Sequence, residues 1–150
     1  MPSHRPRQKA ALTDVLKANP DANLAPIRET YLGHLRQRAE AYRDLSLLLL
    51  GRDIPQILLL HHNLLNALFL DDAIGLFEEM HWTISDPKAA YRDFVYTLEP
   101  QRPAPGQRLL LSIARSVGYR PDGRERLVDD GDAEIDSLRR QGVLPGPAPR

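Results

Sequence analysis

Residues 54–63 of this 150-residue chain read Ile-Pro-Gln-Ile-Leu-Leu-Leu-His-His-Asn, and this stretch decides the predicted fold. Residues 57–60 form a continuous apolar run, which is typical of β-strands covered on both faces, as in parallel sheets flanked by helices. Pro55 suits the start of a strand, where a missing backbone donor is tolerated. We therefore predict a buried β-strand that delivers His61 to the carboxyl end of a sheet, where α/β folds place their functional side chains.

Amphipathic helices are predicted on both sides of this strand. Apolar residues recur at steps of three and four over residues 26–50 and again over residues 70–80, which predicts two helices with one buried face each. Further helices are predicted over residues 86–91 and 107–117. Residues 82–85, Trp-Thr-Ile-Ser, are a second strand candidate, so the order of elements predicts a βα unit with a parallel neighbour.

The bulk composition excludes several classes of function. Twenty basic residues balance twenty acidic ones, so no general field attracts nucleic acid or an anionic membrane. Cysteine is absent, which excludes disulfides and thiolate metal sites. The apolar stretches at residues 45–50 and 54–70 are separated from each other by residues 51–53, and polar residues break the second. We therefore expect no membrane span. The first residues lead into no apolar signal segment, and localisation stays open.

The chain is expected to have three parts. Residues 1–20 are predicted to be poorly ordered or to form a short helix, because they carry little to bury. Residues 21–119 contain the predicted helices and strands. Residues 120–150 are predicted to be a largely disordered tail with one weak helix.

The strongest candidate for chemistry is His61. From spacing alone, its imidazole could bind a metal, transfer a proton or serve only a structural role, and these alternatives stay open. The carboxylate pairs Asp71-Asp72 and Glu78-Glu79 do not converge on one atom, because neighbouring helical residues point in different directions. No His-Glu-x-x-His motif, glycine-rich phosphate loop or nucleophile elbow occurs, so these residues alone do not assemble a familiar active site.

Several short motifs follow one another in an order that resembles a known family. An amphipathic helix is followed by Gly-Arg-Asp-Ile-Pro-Gln, then by Leu59-Leu60-His61, then by Asn-Leu-Leu-Asn at residues 63–66 and another helix. Over residues 21–119 this order resembles the carboxyl-terminal part of the polysaccharide deacetylases of the NodB-homology type. The most specific element is the apolar run ending in Leu-x-His.

The resemblance implies an α/β fold, a partial (β/α) barrel that is helix-rich and lacks its amino-terminal strands. It also implies hydrolysis of acetyl groups on a sugar polymer, with a divalent, zinc-type metal held by one aspartate and two histidines. In that scheme a metal-bound water attacks the acetyl carbonyl and a separate aspartate acts as base. His61 would protonate the leaving group, and Leu59 would help to line the pocket for the acetyl methyl group.

The family's paired-aspartate and His-x-x-x-His motifs have no counterpart in residues 1–20. We therefore expect no metal ligand in this chain, which would hold the general-acid half of a site and be inactive alone. Its partners would be a polysaccharide and an upstream fragment, or a second copy joined through open sheet edges. The alternative is a non-catalytic helical module whose apolar helix faces bind a protein partner while His61 is structural.

Overall fold

One long helix, α1 (Ala25–Leu50), organises the part of the chain that the structure describes. The computed structural model describes residues 16, 17, 19, 21–100, 109–119, 136 and 139–142. After α1 come α2 (Leu64–Glu79), α3 (Pro87–Ala90), a 3₁₀ helix (Phe94–Thr97) and α4 (Leu109–Ser116). The helices predicted over residues 26–50 and 86–91 are confirmed. The helix predicted over 107–117 is confirmed for α4, and its first residues lie outside the described ranges.

The ends of α1 follow from local sequence. Pro26 lies in the first turn, where its fixed φ suits the helix and its missing N–H removes no hydrogen bond. The helix stops at Gly51, which adopts a left-handed φ of 67°. The Gly51 N–H donates to the carbonyl of Leu47 at 2.9 Å, which satisfies an acceptor at the end of the helix.

The buried face of α1 connects three apolar clusters. In each cluster one α1 residue packs against other elements: Ile27 against Phe69; Leu35 against Ala73 and Leu76; Leu45 against Ile54, Val95, Leu110, Leu111 and Ala114. Helix α2 therefore lies along the amino-terminal half of α1, while α4 packs against its carboxyl-terminal end. This arrangement buries Ile27, Leu35 and Leu45 of the predicted apolar stripe, whereas Leu48 near the end of the helix is 63% exposed.

Helix α2 begins six residues earlier than predicted. Its N-cap is Asn63, whose side chain accepts a hydrogen bond from the backbone N–H of Asn66 at 2.9 Å. Phe69 has non-helical dihedral angles (φ −123°, ψ 18°), so it marks a kink. The periodicity from Leu70 onwards indicated only the second part of this kinked helix. Asp71 consequently lies near the middle of the helix.

The predicted partial (β/α) barrel of the NodB-homology deacetylase type is wrong for this structure. No strand occurs in residues 21–100 or 109–119, and the strand candidate at 82–85 is unpaired. Residues 54–60 form neither a helix nor a strand, and we call them the linking segment. Its apolar run at residues 57–60 is not a buried strand. The exposed fractions of Ile57, Leu58 and Leu59 are 38%, 49% and 77%.

The reason for this difference lies in what flanks the apolar run. A β-strand needs a second backbone alongside it, whereas the neighbouring elements here are helices with internally satisfied backbones. The helices cover only the ends of the segment: Ile54 is buried in the Val95 cluster, and Leu60 packs in the Leu35 cluster. Between these two anchors, residues 57–59 have their side chains exposed.

The structure describes mainly the middle one of the three parts predicted for the chain. Every helix described above lies within residues 21–119, which were expected to hold the folded elements. The predictions for residues 1–20 and 120–150 fall almost entirely outside the described residues, so they stay predictions.

Candidate functional site

His61 lies in the turn that joins the linking segment, residues 54–60, to α2. Its side chain is exposed, as is that of His62. The backbone carbonyl of His61 accepts a hydrogen bond from Nδ2 of Asn66 at 2.5 Å. Because Asn63 caps the helix two residues after His61, the histidine is attached to the amino-terminal end of α2 and not to a sheet.

Asn66 uses three of its polar groups around this turn. Its backbone N–H donates to Oδ1 of Asn63, and its side-chain Nδ2 donates to the His61 carbonyl. Its Oδ1 accepts a hydrogen bond from the hydroxyl of Tyr31 at 2.8 Å. The Tyr31 ring lies on α1 and is tilted against Phe69, with 6.3 Å between ring centroids. A continuous set of contacts therefore connects the two long helices to the His61 backbone.

Leu59 does not line a pocket formed by the described residues. With 77% of its surface exposed, it is the most exposed large apolar side chain in that part of the molecule. Leu59 and His61 are two residues apart, and both side chains are exposed. The described residues therefore do not provide the acetyl-methyl pocket that the resemblance implies.

The described residues do not fit the divalent metal that the resemblance implies. No group of three or more histidine, cysteine, aspartate or glutamate side chains is placed to hold a metal ion in the described ranges. Asp72, one of the singled-out carboxylates, instead forms an ion pair across the helix interface with Arg28, at 2.5 Å between Oδ1 and Nη2. The hydrogen bond from Arg28 lowers the pKa of Asp72 below its usual value. Asp72 is therefore explained by helix pairing.

A second polar contact, not anticipated from the sequence, fixes the start of the linking segment. Arg52 donates two hydrogen bonds to Asp93, at 2.7 Å to Oδ2 and 2.6 Å to Oδ1, and its guanidinium lies 5.0 Å from the ring centroid of Phe94. Asp93 also accepts from the N–H of Val95. These bonds, with Arg52 as the largest cause, lower the pKa of Asp93 to about 2. Such paired contacts are among the stronger polar interactions in proteins.

Tyr96, close to Asp93 in sequence, also contacts the beginning of the linking segment. The hydroxyl of Tyr96 donates to the carbonyl of Pro55 at 2.7 Å, and the Tyr96 ring meets Tyr91 edge-on with 5.4 Å between centroids. Burial is the largest cause of a raised pKa at Tyr96, which keeps this hydroxyl protonated as a donor. The sequence signal that could have indicated Asp93 is its position as an N-cap before an apolar helix turn. No local signal pairs it with Arg52, 41 residues away.

None of the helices in the described part of the chain is long and apolar enough to cross a membrane. A comparison with protein-family models, with curated proteins and with solved structures finds no match to this chain. The arguments about function that follow therefore rest on the residues of the chain and on their geometry.

Proposed function

We propose that this chain carries the general-acid part of a polysaccharide deacetylase, with His61 as the proton donor. The observation that carries this proposal is the placement of His61: it is exposed, it follows an exposed apolar segment, and its backbone is held by Asn66. A general acid must be accessible to the substrate and fixed in position, and histidine is the residue that most often fills this role.

His61 would act on the leaving group. When the bond between the acetyl carbon and the sugar nitrogen or oxygen breaks, that atom needs a proton to leave as an amine or hydroxyl. A protonated imidazole supplies this proton and becomes neutral. Leu59 would contact the acetyl methyl group. Because the described residues do not fit a metal site, we assign no step to a metal here.

A completing polypeptide would bind at the linking segment. Residues 57–59 expose apolar side chains, and no backbone–backbone hydrogen bond between described residues involves the N–H groups of residues 56–60. The side-chain Nε2 of Gln56 is buried without a hydrogen-bond partner, which is an unfavourable state for a buried donor. A backbone laid alongside this segment would supply hydrogen bonds and cover the leucines. The partner we propose is an upstream polypeptide, with a second copy as the other outcome.

The test is the release of acetate from an acetylated polysaccharide. The nucleotide sequence before Met1 is read for an in-frame segment with paired aspartates and His-x-x-x-His, and the encoded polypeptide is joined to the chain or mixed with it. We expect activity from the combination and none from the 150 residues alone. Metal-dependent deacetylation by the isolated chain would contradict our account of the site.

The residue-level test compares His61→Ala with His62→Ala in the active combination. Both side chains are exposed, so neither substitution removes core packing. We expect His61→Ala to lower turnover by about 10²-fold or more, as removal of a general acid commonly does. His62→Ala should change turnover by less than about threefold, a difference on the order of half a kcal/mol in the barrier. Equal effects of the two substitutions would exclude a specific role for His61.

The second candidate is a non-catalytic helical module that binds a protein partner. The observation that favours it is the apolar surface near the end of α1, where Leu48 is 63% exposed, together with the exposed leucines at 58 and 59. Monomeric proteins rarely expose large contiguous apolar patches. The two candidates differ at His61: in a binding module, His61→Ala would leave partner binding intact and there would be no deacetylation to lose.

A further inference from the structure

The turn that carries His61 is held by a side chain from the third position of α2. Asn63 is the N-cap of this helix and Asn66 is its third residue. In a capping box, the side chain at this third position reaches back to the N-cap residue. Here the Asn66 amide reaches two residues further, to the carbonyl of His61. The contact therefore fixes the residue proposed as the proton donor as well as the helix end.

The Asn66 amide is oriented by its two partners together, the Tyr31 hydroxyl and the His61 carbonyl. The Tyr31 hydroxyl donates to Oδ1 of Asn66, which leaves Nδ2 directed at the His61 carbonyl. Rotating the amide by half a turn would place Oδ1 against the carbonyl oxygen, and two acceptors would face each other. The Tyr31 ring is itself packed against Phe69, so it does not rotate freely. The amide has one favourable orientation.

We infer that Asn66 is the positioning residue for His61 and that Tyr31 orients it. This inference rests on the proposed function for the role of His61, and it names residues that act on the site without touching the substrate. The hydrogen bonds link α1, α2 and the His61 turn, so they restrict the backbone from which the imidazole projects. Small displacements of a catalytic group can cost large factors in rate, which gives such a restriction a functional effect.

The experiment uses the isolated 150-residue chain, so it does not depend on deacetylase activity. Asn66→Asp keeps the size of the side chain and replaces the donor Nδ2 with an acceptor oxygen. NMR then measures the scalar coupling across the hydrogen bond from Asn66 Nδ2 to the His61 carbonyl, the chemical shift of that carbonyl carbon, and the backbone order parameters of residues 61–63.

In the wild type we expect a detectable coupling. In Asn66→Asp we expect a shifted His61 carbonyl signal and lower backbone order parameters at residues 61–63, because the turn loses the hydrogen bond that restricts it. Tyr31→Phe keeps the ring and removes the hydroxyl, so it should give a smaller change of the same kind. Tyr91→Phe, which removes a hydroxyl from an exposed ring, is the matched control and should change none of these signals.

The inference is overturned if Asn66→Asp leaves the His61 carbonyl signal and the order parameters of residues 61–63 unchanged. If Asn66→Asp does not fold, Tyr31→Phe decides, and unchanged signals in that variant overturn the inference as well. In an active combination, Asn66→Asp should lower kcat by about tenfold while KM stays within about twofold, because His61 acts on the leaving group and not in binding. An active enzyme with unchanged kcat would refute the positioning role alone, whereas loss of the proposed function would show as wild-type activity in His61→Ala.

Discussion

His81 ends α2 in a backbone conformation that disfavours any residue with a Cβ atom. Its φ is +60°, the only positive φ of a non-glycine residue among the described residues. The His81 N–H donates to the carbonyl of Glu78 and the Trp82 N–H donates to that of Phe77, each at 2.9 Å. These two bonds form a Schellman motif, whose left-handed position is usually glycine. The edge-on contact between Trp82 and Phe77 is the apolar contact that accompanies the motif.

We therefore predict that His81→Gly stabilises the protein. A left-handed conformation costs an ordinary L-residue about 1 to 2 kcal/mol. Glycine loses more backbone freedom on folding, by about 0.5 to 1 kcal/mol relative to alanine. The difference is a gain of about 0.5 to 1 kcal/mol in the free energy of unfolding, or about 1 to 4 °C in Tm for a domain of this size. The His81 side chain is exposed, so its removal costs little packing.

Urea denaturation followed by circular dichroism measures this difference. The matched control is Gly51→Ala, at the end of α1, where φ is +67° and a Cβ atom would meet nothing within 4 Å. That substitution introduces the strain that His81→Gly removes, so it should destabilise by about 1 kcal/mol. If Gly51→Ala behaves as expected while His81→Gly is neutral or destabilising, the reasoning about the end of α2 is refuted.

Two further predictions concern the free energy of unfolding and residues that pack around the linking segment. The folded-state pKa of Asp93 is lowered to about 2, so its contribution is complete above the unfolded pKa of about 3.8 and is lost as pH falls towards 2. Asp93→Asn should remove this part of the acid sensitivity, as measured by urea unfolding at a series of pH values; an unchanged pH profile would contradict the pairing with Arg52. Val95 is 0% exposed, so Val95→Ala removes fully buried methyl groups and should lower the free energy of unfolding by about 2 to 3 kcal/mol. A loss under about 0.5 kcal/mol would mean that the Val95 cluster is not packed as described.

The helices were predictable because their signals are local. Pro26 and Gly51 mark the two ends of α1, and the apolar spacing between them identifies its buried face. Asp86 and Pro87 likewise indicate α3, with the Asp86 side chain accepting from the N–H of Lys88. The early start of α2 was missed because apolar residues follow Asn63 at nearly every position, which leaves no clear period to count.

The strand was mispredicted because its signal is not local. A continuous apolar run indicates burial, but pairing depends on a second strand that the run itself cannot specify. The candidate site was predictable only in part for a similar reason. His61 stands out after an apolar run, whereas its contact with Asn66 depends on how α2 begins, and the contact between Tyr31 and Asn66 joins residues 35 positions apart.

A clear disagreement between sequence and structure lies beside His61. Elsewhere in the described ranges, the apolar residues of α1 and α4 are buried largely as their spacing requires. At residues 57–59 a pattern typical of burial on both faces coincides with exposed side chains and with backbone groups outside any sheet. Natural proteins tend to violate local rules at functional positions. Because both ends of this segment are anchored, at Ile54 and Leu60, binding a partner there would require little reordering of its backbone, and the entropic cost of association would be correspondingly small. His61, one residue beyond the second anchor, would then lie at the edge of the new interface, where a completing polypeptide could contribute the groups that the described residues lack.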